Sequence, residues 1–294
     1  MRILVTGASG MLGSNLAVEL SKNHNVFGTG NSKIIISINY KEFDLFNKCY
    51  DKLIQWSKPE LIIHCAAITN GDYCEFNSWE AFKVNGFSVK KLMEATHDQV
   101  KIIYISTDAV FPSSLNLARE SDCKFPESVY GKSKELGEFF LTNSTRKHII
   151  IRTTIVGVNS YTNKSSFVQW ILNSVKEKEP VKLFDDVLFT PISIWDFIDE
   201  VCFIINNDLF DSKVLHISGS ESISKYEFGY ELIKQLNLDT RYIKKGKISE
   251  YKTRFNRSNN QTLDSSYYEY KYNRKVPDLK GTIKSLINNL KNEN

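Results

Sequence analysis

Cysteine is scarce in this sequence, and what there is follows no pattern. Cys49, Cys65, Cys74, Cys123 and Cys202 are odd in number, scattered and free of any CxxC pair, which excludes a disulfide framework or a zinc site and leaves reduced thiols. Long apolar runs are missing too: none approaches the ~18 residues that span a bilayer. Met1-Arg2-Ile3-Leu4-Val5 enters a strand pattern directly, without the sections of a cleavable leader, so a cytoplasmic protein with no membrane partner is expected. Charge of one sign is modest at +4. With no nucleic-acid motif to accompany it, nucleic acid is not an expected partner. No cluster of His, Asp and Glu has ligand spacing, so no metal is assigned. Internal repeats and low-complexity linkers are absent, and oligomeric state is not legible, although a homodimer is allowed.

What is present is an ordinary globular composition, 41% hydrophobic and 24% charged, in a chain of 294 residues, long enough for one large domain carrying a smaller lobe. The first half alternates β-branched runs with amphipathic stretches. Strands are expected at Arg2 to Thr6, Asn25 to Gly28, Leu61 to Cys65, Lys101 to Ser106 and His148 to Arg152. Helices are expected at Leu12 to Lys22, Asn47 to Ser57, Trp79 to Thr96 and Val129 to Asn143. That order predicts an α/β fold, a Rossmann-type doubly wound parallel sheet with a smaller C-terminal substrate-binding lobe. Later helices are expected at Phe167 to Lys178, Ile194 to Asn206, Lys225 to Leu236 and Leu279 to Lys291, with one more strand at Val214 to Ile217. The expected division is 1–155 for the nucleotide-binding domain, joined by 192–218, with 156–191 and 219–294 forming the lobe. The stretch from Arg241 to Asn273 is polar, aromatic-rich and unassigned.

Directly after the first strand comes Gly7-Ala8-Ser9-Gly10-Met11-Leu12-Gly13, a glycine turn opening a helix. Such a turn lets the backbone approach a pyrophosphate while the helix N-terminus offers N–H groups and partial positive charge. Gly7, Ser9, Gly10, Met11, Leu12 and Gly13 are therefore cofactor candidates. The second strand lacks the acid that would accept hydrogen bonds from both adenosine ribose hydroxyls. Gly28-Thr29-Gly30-Asn31-Ser32-Lys33 stands there instead, and Asn31, Ser32 and Lys33 suit a 2′-phosphate, favouring NADPH while leaving NADH open. Asp44-Leu45 follows the third-strand region, where Asp44 could accept the adenine amino group or cap a helix.

The fourth expected helical stretch holds Tyr130 and Lys134, four residues apart and so on one face, where the ammonium could acidify the phenol and make a proton donor. Ser106-Thr107-Asp108 ends a parallel strand, where side chains enter the ligand crevice, and Thr107 could hold a substrate carbonyl beside Tyr130. Arg241, Lys244, Lys245, Lys247, Lys252, Arg254 and Arg257 concentrate positive charge, either as a solvated face or as a pyrophosphate site.

Taken together, the glycine turn, Thr107 and Tyr130-x-x-x-Lys134 resemble an extended short-chain dehydrogenase/reductase. The stretch from His64 to Glu75, Ser106-Thr107-Asp108-Ala109-Val110-Phe111, the run from Tyr130 to Glu138 and the stretch from Arg257 to Asp264 resemble the dTDP-4-dehydrorhamnose reductase family. The resemblance runs nearly end to end. It implies NADPH-dependent reduction of a nucleotide-linked 4-keto-6-deoxy sugar, with Tyr130 as proton donor, Lys134 lowering its pKa and holding the nicotinamide ribose, and Thr107 on the carbonyl. It also places Cys65, Ala66, Ala67, Leu45 and Asn85 beside the cofactor, and Thr69, Asp108 and Arg257 beside the substrate. Asn85 reads equally as a satisfied buried amide. The chain departs from the family at Ala109, Ile155 and Ser258, and the first two border the sugar pocket in the resemblance. Ala109 also stands where a 4,6-dehydratase carries a Glu. An epimerase with tightly held NAD, and a non-catalytic NADP-holding regulator like the β subunit of methionine adenosyltransferase, are the alternatives.

Overall fold

Period-two alternation in short apolar runs builds the centre of the molecule. The computed structural model describes every residue except 35, 47, 160–164, 212, 251–257 and 293–294. β1 (Arg2–Thr6), β2 (Asn25–Gly30), β3 (Asn39–Glu42), β4 (Leu61–His64), β5 (Lys101–Thr107), β6 (His148–Thr153) and an edge strand, Lys213–His216, form one sheet. Its order is edge strand, β6, β5, β4, β1, β2, β3, and all its pairings are parallel. Ile3, Val5, Ile63, Ile103 and Ile151 point to one face, packed on helix Met11–Ser21 and helix Ile194–Asn206. Leu4, Ile62, Ile102, Tyr104 and Ile150 point to the other, against Leu53, Val89, Leu92 and Leu141. Burial on both faces is why these strands read as continuous apolar runs.

The expected Rossmann-type parallel sheet is thus present, with element ends shifted by a few residues. The second expected helix starts at Tyr50, and the third runs over 78–94 with a π-helical stretch, Phe82–Phe87, in its middle. A short helix the sequence reading missed, Gly71–Phe76, precedes it; Asn70 caps it by accepting from the Tyr73 N–H at 2.8 Å. After β6 a second core gathers Val168, Ile171, Leu183, Phe189, Phe228, Leu232, Ile283 and Leu286. Short strand pairs, such as Val181–Phe184 with Ile243–Gly246, accompany the expected helices there. Two to four residues carry too little periodicity to be read as strands from sequence. The described part of the unassigned stretch contains that strand, Asn260–Gln261 and helix Ser266–Tyr272.

Helix Val129–Thr142 is tied to the sheet by charge as well as by packing. Ser128 caps it, accepting from the Gly131 N–H at 3.0 Å. Its fully buried Glu138 takes a two-pronged hydrogen bond from Arg152 on β6, at 2.9 and 2.8 Å, and one from Ser106 on β5 at 2.6 Å. Arg152 also meets His216 Nε2 on the edge strand at 3.2 Å. Burial alone would raise the Glu138 carboxyl, but the Arg152 fork, its charge and Lys124 hold it below the ordinary value. Removing one partner of such a pair strands a buried charge, whereas replacing both with apolar groups does not. Arg152→Met should therefore lose about 3–5 kcal/mol of stability, and Arg152→Met with Glu138→Leu should recover much of it. Urea denaturation of the three proteins measures both effects.

Candidate functional site

Where β1 ends, the chain needs a residue without a side chain. Gly7 has φ +72°, and a Cβ there would lie 2.6 Å from the Ala66 backbone, so only glycine fits the turn beneath the end of β4. Gly10 is exposed and precedes helix Met11–Ser21 without any side-chain cap. The first N–H groups of a helix have no acceptor within it, and these open on a cleft at the carboxyl ends of β1 and β4. That is the point where strand order reverses, the usual ligand crevice of such sheets.

Two adjoining cavities make up the cleft and share Gly7, Gly10, Cys65 and Ala67. The smaller, about 190 Å³, is lined by Ser9, Asn31, Asp44, Leu45 and Ala66 among others. The larger, about 470 Å³, is lined by Met11, Leu12, Gly13, Thr69, Thr107, Tyr130 and Lys134. Sequence candidates from several distant segments therefore meet in one continuous cleft. Not all of them do. Ser32 and Lys33 line neither cavity, and the Ser32 carbonyl instead accepts from Tyr40 Oη at 2.5 Å. Asp108 lines neither cavity, and Arg257, with Lys252 and Arg254, falls outside the described residues. Asp44 lines the small cavity and does not cap a helix; its Oδ1 accepts from the Phe46 N–H at 2.8 Å.

Asn85 sits fully buried in the π-helical stretch. Its amide donates to the Ile68 carbonyl at 3.0 Å and to Ser133 Oγ at 2.9 Å, and its oxygen accepts from the Ile68 N–H at 2.7 Å. The satisfied-amide reading describes these contacts. They nonetheless fasten the loop after β4 to Ser133, between Tyr130 and Lys134.

The electrostatics correct one expectation. Tyr130 is held above its ordinary value, first by burial and then by the Asp108 carboxylate, while a hydrogen bond with Thr107 works in the opposite direction. Lys134 is not among the groups that shift it. The Lys134 ammonium donates to the Ile105 carbonyl at 2.7 Å and stands 3.9 Å from the Tyr104 ring centroid. Burial lowers Lys134 to about 7, against the opposing pull of Glu138 and Cys65. Thr107 donates its one hydroxyl proton to Asp108 Oδ1 at 2.9 Å and accepts from the Ala109 N–H at 3.2 Å.

Several lining residues escaped the sequence reading. Thr153 ends β6 directly beside Thr107 in register, so the strand-end rule that singled out Thr107 applied to it as well. Ser166 and Phe167 line the larger cavity from the start of helix Phe167–Lys176, whose Ser166–Gln169 capping box is legible in sequence. Phe43, Ile68 and Val84 carry no chemical signature. Of the two departures expected at a sugar pocket, Ile155 lines the larger cavity and Ala109 does not. Among the described residues no group of His, Cys, Asp and Glu could hold a metal, and no helix is long and apolar enough to cross a membrane.

Comparison with known proteins shows the family. A family model described as the RmlD substrate binding domain matches residues 1–292. The chain belongs to that family. Within the RmlD family's neighbourhood, dTDP-4-dehydrorhamnose reductase of Aggregatibacter actinomycetemcomitans is 32% identical over 235 residues, 77% of this chain and 76% of that protein. The β subunit of methionine adenosyltransferase 2 from Xenopus tropicalis is 27% identical, over 83% of this chain and 74% of that one. The crystal structure of a dTDP-4-dehydrorhamnose reductase from Clostridium acetobutylicum superposes with a TM-score of 0.86 at 28% identity, covering 99% of this chain and 100% of that one. The family expected from the motifs is therefore the family found.

A lysine at about 7 carries its charge below that pH and loses it above, so the Lys134 cation should disappear as pH rises through about 7. Carbon-13 NMR of labelled lysine, with Lys134→Met to assign the signal, should show one such midpoint well below those of exposed lysines near ~10.4. A Lys134 midpoint at the ordinary value would contradict the burial described here.

Proposed function

We propose that the protein reduces the keto group of a nucleotide-linked 4-keto-6-deoxy sugar with NADPH, in the manner of a dTDP-4-dehydrorhamnose reductase. The carrying observation is that Tyr130, Lys134 and Thr107 line one cavity that runs into the cleft of the glycine turn. The turn fits a dinucleotide: Gly10 presents bare backbone, and a Cβ on it would meet only the Gly7 carbonyl, at 3.3 Å, otherwise standing in the space a pyrophosphate would take. Cys65, Ala66 and Ala67 line the same cleft, and Asn31 stands where an acid would select NADH. A nicotinamide held there would supply the hydride for the keto carbon.

The chain's own groups manage the oxygen. As the carbonyl gains charge, Tyr130 delivers the phenolic proton, and the C=O becomes a CH–OH. Its raised pKa keeps it protonated at neutral pH, and an alkoxide is a far stronger base than a phenolate, so the transfer runs downhill. Lys134, with ammonium protons left after its bond to Ile105, would hold the nicotinamide ribose hydroxyls. Thr107 steadies the carbonyl oxygen by turning its hydroxyl proton from Asp108 to substrate. Thr69 lines the same cavity and contacts the remainder of the nucleotide sugar. The reading keeps the expected cytoplasmic setting.

NADPH oxidation assayed against dTDP-, GDP-, CDP- and UDP-linked 4-keto-6-deoxy sugars should show turnover with at least one. Tyr130→Phe should lower that rate by about 10²–10⁴-fold while leaving NADPH affinity nearly unchanged; a full rate would remove Tyr130 as the donor. NADPH binding without turnover of any sugar would point instead to a regulatory protein like the Xenopus relative. Asn31→Asp places a carboxylate where the 2′-phosphate would sit, and should shift the ratio of NADPH to NADH affinity toward NADH by about tenfold or more, measured by fluorescence titration.

A further inference from the structure

Asp108 and Lys225 are two charged groups, each beside a residue that lines the larger cavity, whose hydrogen-bonding capacity the fold leaves open. Asp108 opens the short turn Asp108–Val110; its Oδ1 is taken by the Thr107 hydroxyl, and its Oδ2 is buried without a partner. Lys225 opens helix Lys225–Gln235 and is anchored by its backbone N–H on the Val187 carbonyl at 3.0 Å. Its ammonium lies 3.3 Å from the Phe189 ring centroid and 5.6 Å from that of Phe167, which lines the cavity. Among the described residues the ammonium has no hydrogen-bond acceptor and no ion pair. Each residue thus reaches the cavity through a neighbour, Asp108 through Thr107 and Lys225 through Phe167.

The two groups are near enough for each to bias the other's ionisation. Burial pushes Asp108 up to about 6 and Lys225 down to about 8, while each one's charge favours the charged form of the other. One is an acceptor without a donor, the other a donor without an acceptor, and both stand beside the residues proposed to handle the keto oxygen. A ligand carboxylate would be repelled by Asp108, and a ligand ammonium by Lys225. A hydroxyl suits both, since it donates one hydrogen bond and accepts another.

We propose that Asp108 and Lys225 form a specificity clamp for one ring hydroxyl of the sugar, which donates to Asp108 Oδ2 and accepts from Lys225 Nζ. The clamp rests on the keto-sugar reading and adds to it a residue from the distant helix Lys225–Gln235. Lys225 binds without taking part in proton or hydride transfer. Asp108, once its second oxygen is engaged, holds less firmly to the Thr107 proton that the carbonyl requires.

Calorimetric titration of the protein with NADP⁺ present, using dTDP-, GDP-, CDP- and UDP-linked 6-deoxyhexoses alongside each bare nucleoside diphosphate, isolates what the sugar contributes. For at least one ligand the sugar should tighten binding, and Lys225→Met should lower that increment by about tenfold, with affinity for the bare diphosphate and NADP⁺ within about twofold of the parent. Lys225→Gln, which keeps a donor, should retain part of the increment. Asp108→Ala combined with Lys225→Met should lose no more than the larger single loss, because both act through one hydroxyl. Thermal melts of each variant verify folding. An increment that survives Lys225→Met, or no sugar that binds better than its bare diphosphate, overturns the clamp. Increments that behave as stated, without NADPH turnover on any keto sugar, would leave the clamp standing and count against the reductase reading alone.

Discussion

The buried Glu138–Arg152 pair is the interaction on which the candidate site depends. Glu138 lies one helical turn after Lys134, which itself lies one turn after Tyr130, so whatever fixes Glu138 fixes the face of the helix that meets the cleft. Arg152 and Ser106 hold it against the ends of β6 and β5. Thr107 and Thr153 are the next residues on those two strands. One electrostatic clasp therefore sets the distance between the strand ends and the Tyr130 face of the helix. A hydrophobic contact could supply as much stability but not a two-pronged geometry with a defined direction.

Around that clasp the polar groups of the site are layered. Asn85 fastens the loop after β4 to Ser133, and Lys134 bonds the Ile105 carbonyl, so the helix is held on both sides of the cleft. Burial dominates the ionisable groups, raising Tyr130 and Asp108 and lowering Lys134 and Lys225. A raised tyrosine is a reluctant acid in isolation. It is suited to a reaction that generates alkoxide, because it stays loaded until a strong base forms beside it.

Much of this was legible in the sequence. Strand runs buried on both faces, the glycine turn and the strand-end Thr107 follow from local rules, and they located the sheet and most of the cleft. What was not legible depended on contacts distant in sequence. The pairing of Tyr130 with Lys134 predicts a shared face, but not that the ammonium turns to Ile105. Ser32 and Lys33 have the composition of a phosphate site, yet the turn after β2 carries them away from the cavity lining. Thr153 obeys the same rule as Thr107 and was passed over, while Phe43 and Val84 have no chemistry to announce them. Lys225 could not be placed at all, since its neighbours Phe167, Phe189 and Asp108 come from separate segments.

In the proposed reaction the cleft brings hydride and proton to opposite ends of one ketone. That reaction is tested most directly with NADPH deuterated at C4 of the nicotinamide, prepared as each of the two stereochemical forms, and a nucleotide-linked 4-keto-6-deoxy sugar that is turned over. Proton NMR and mass spectrometry of the product should find deuterium on the sugar carbon that bore the ketone, from only one of the two forms. Deuterium from neither form, or at any other carbon, would contradict the account.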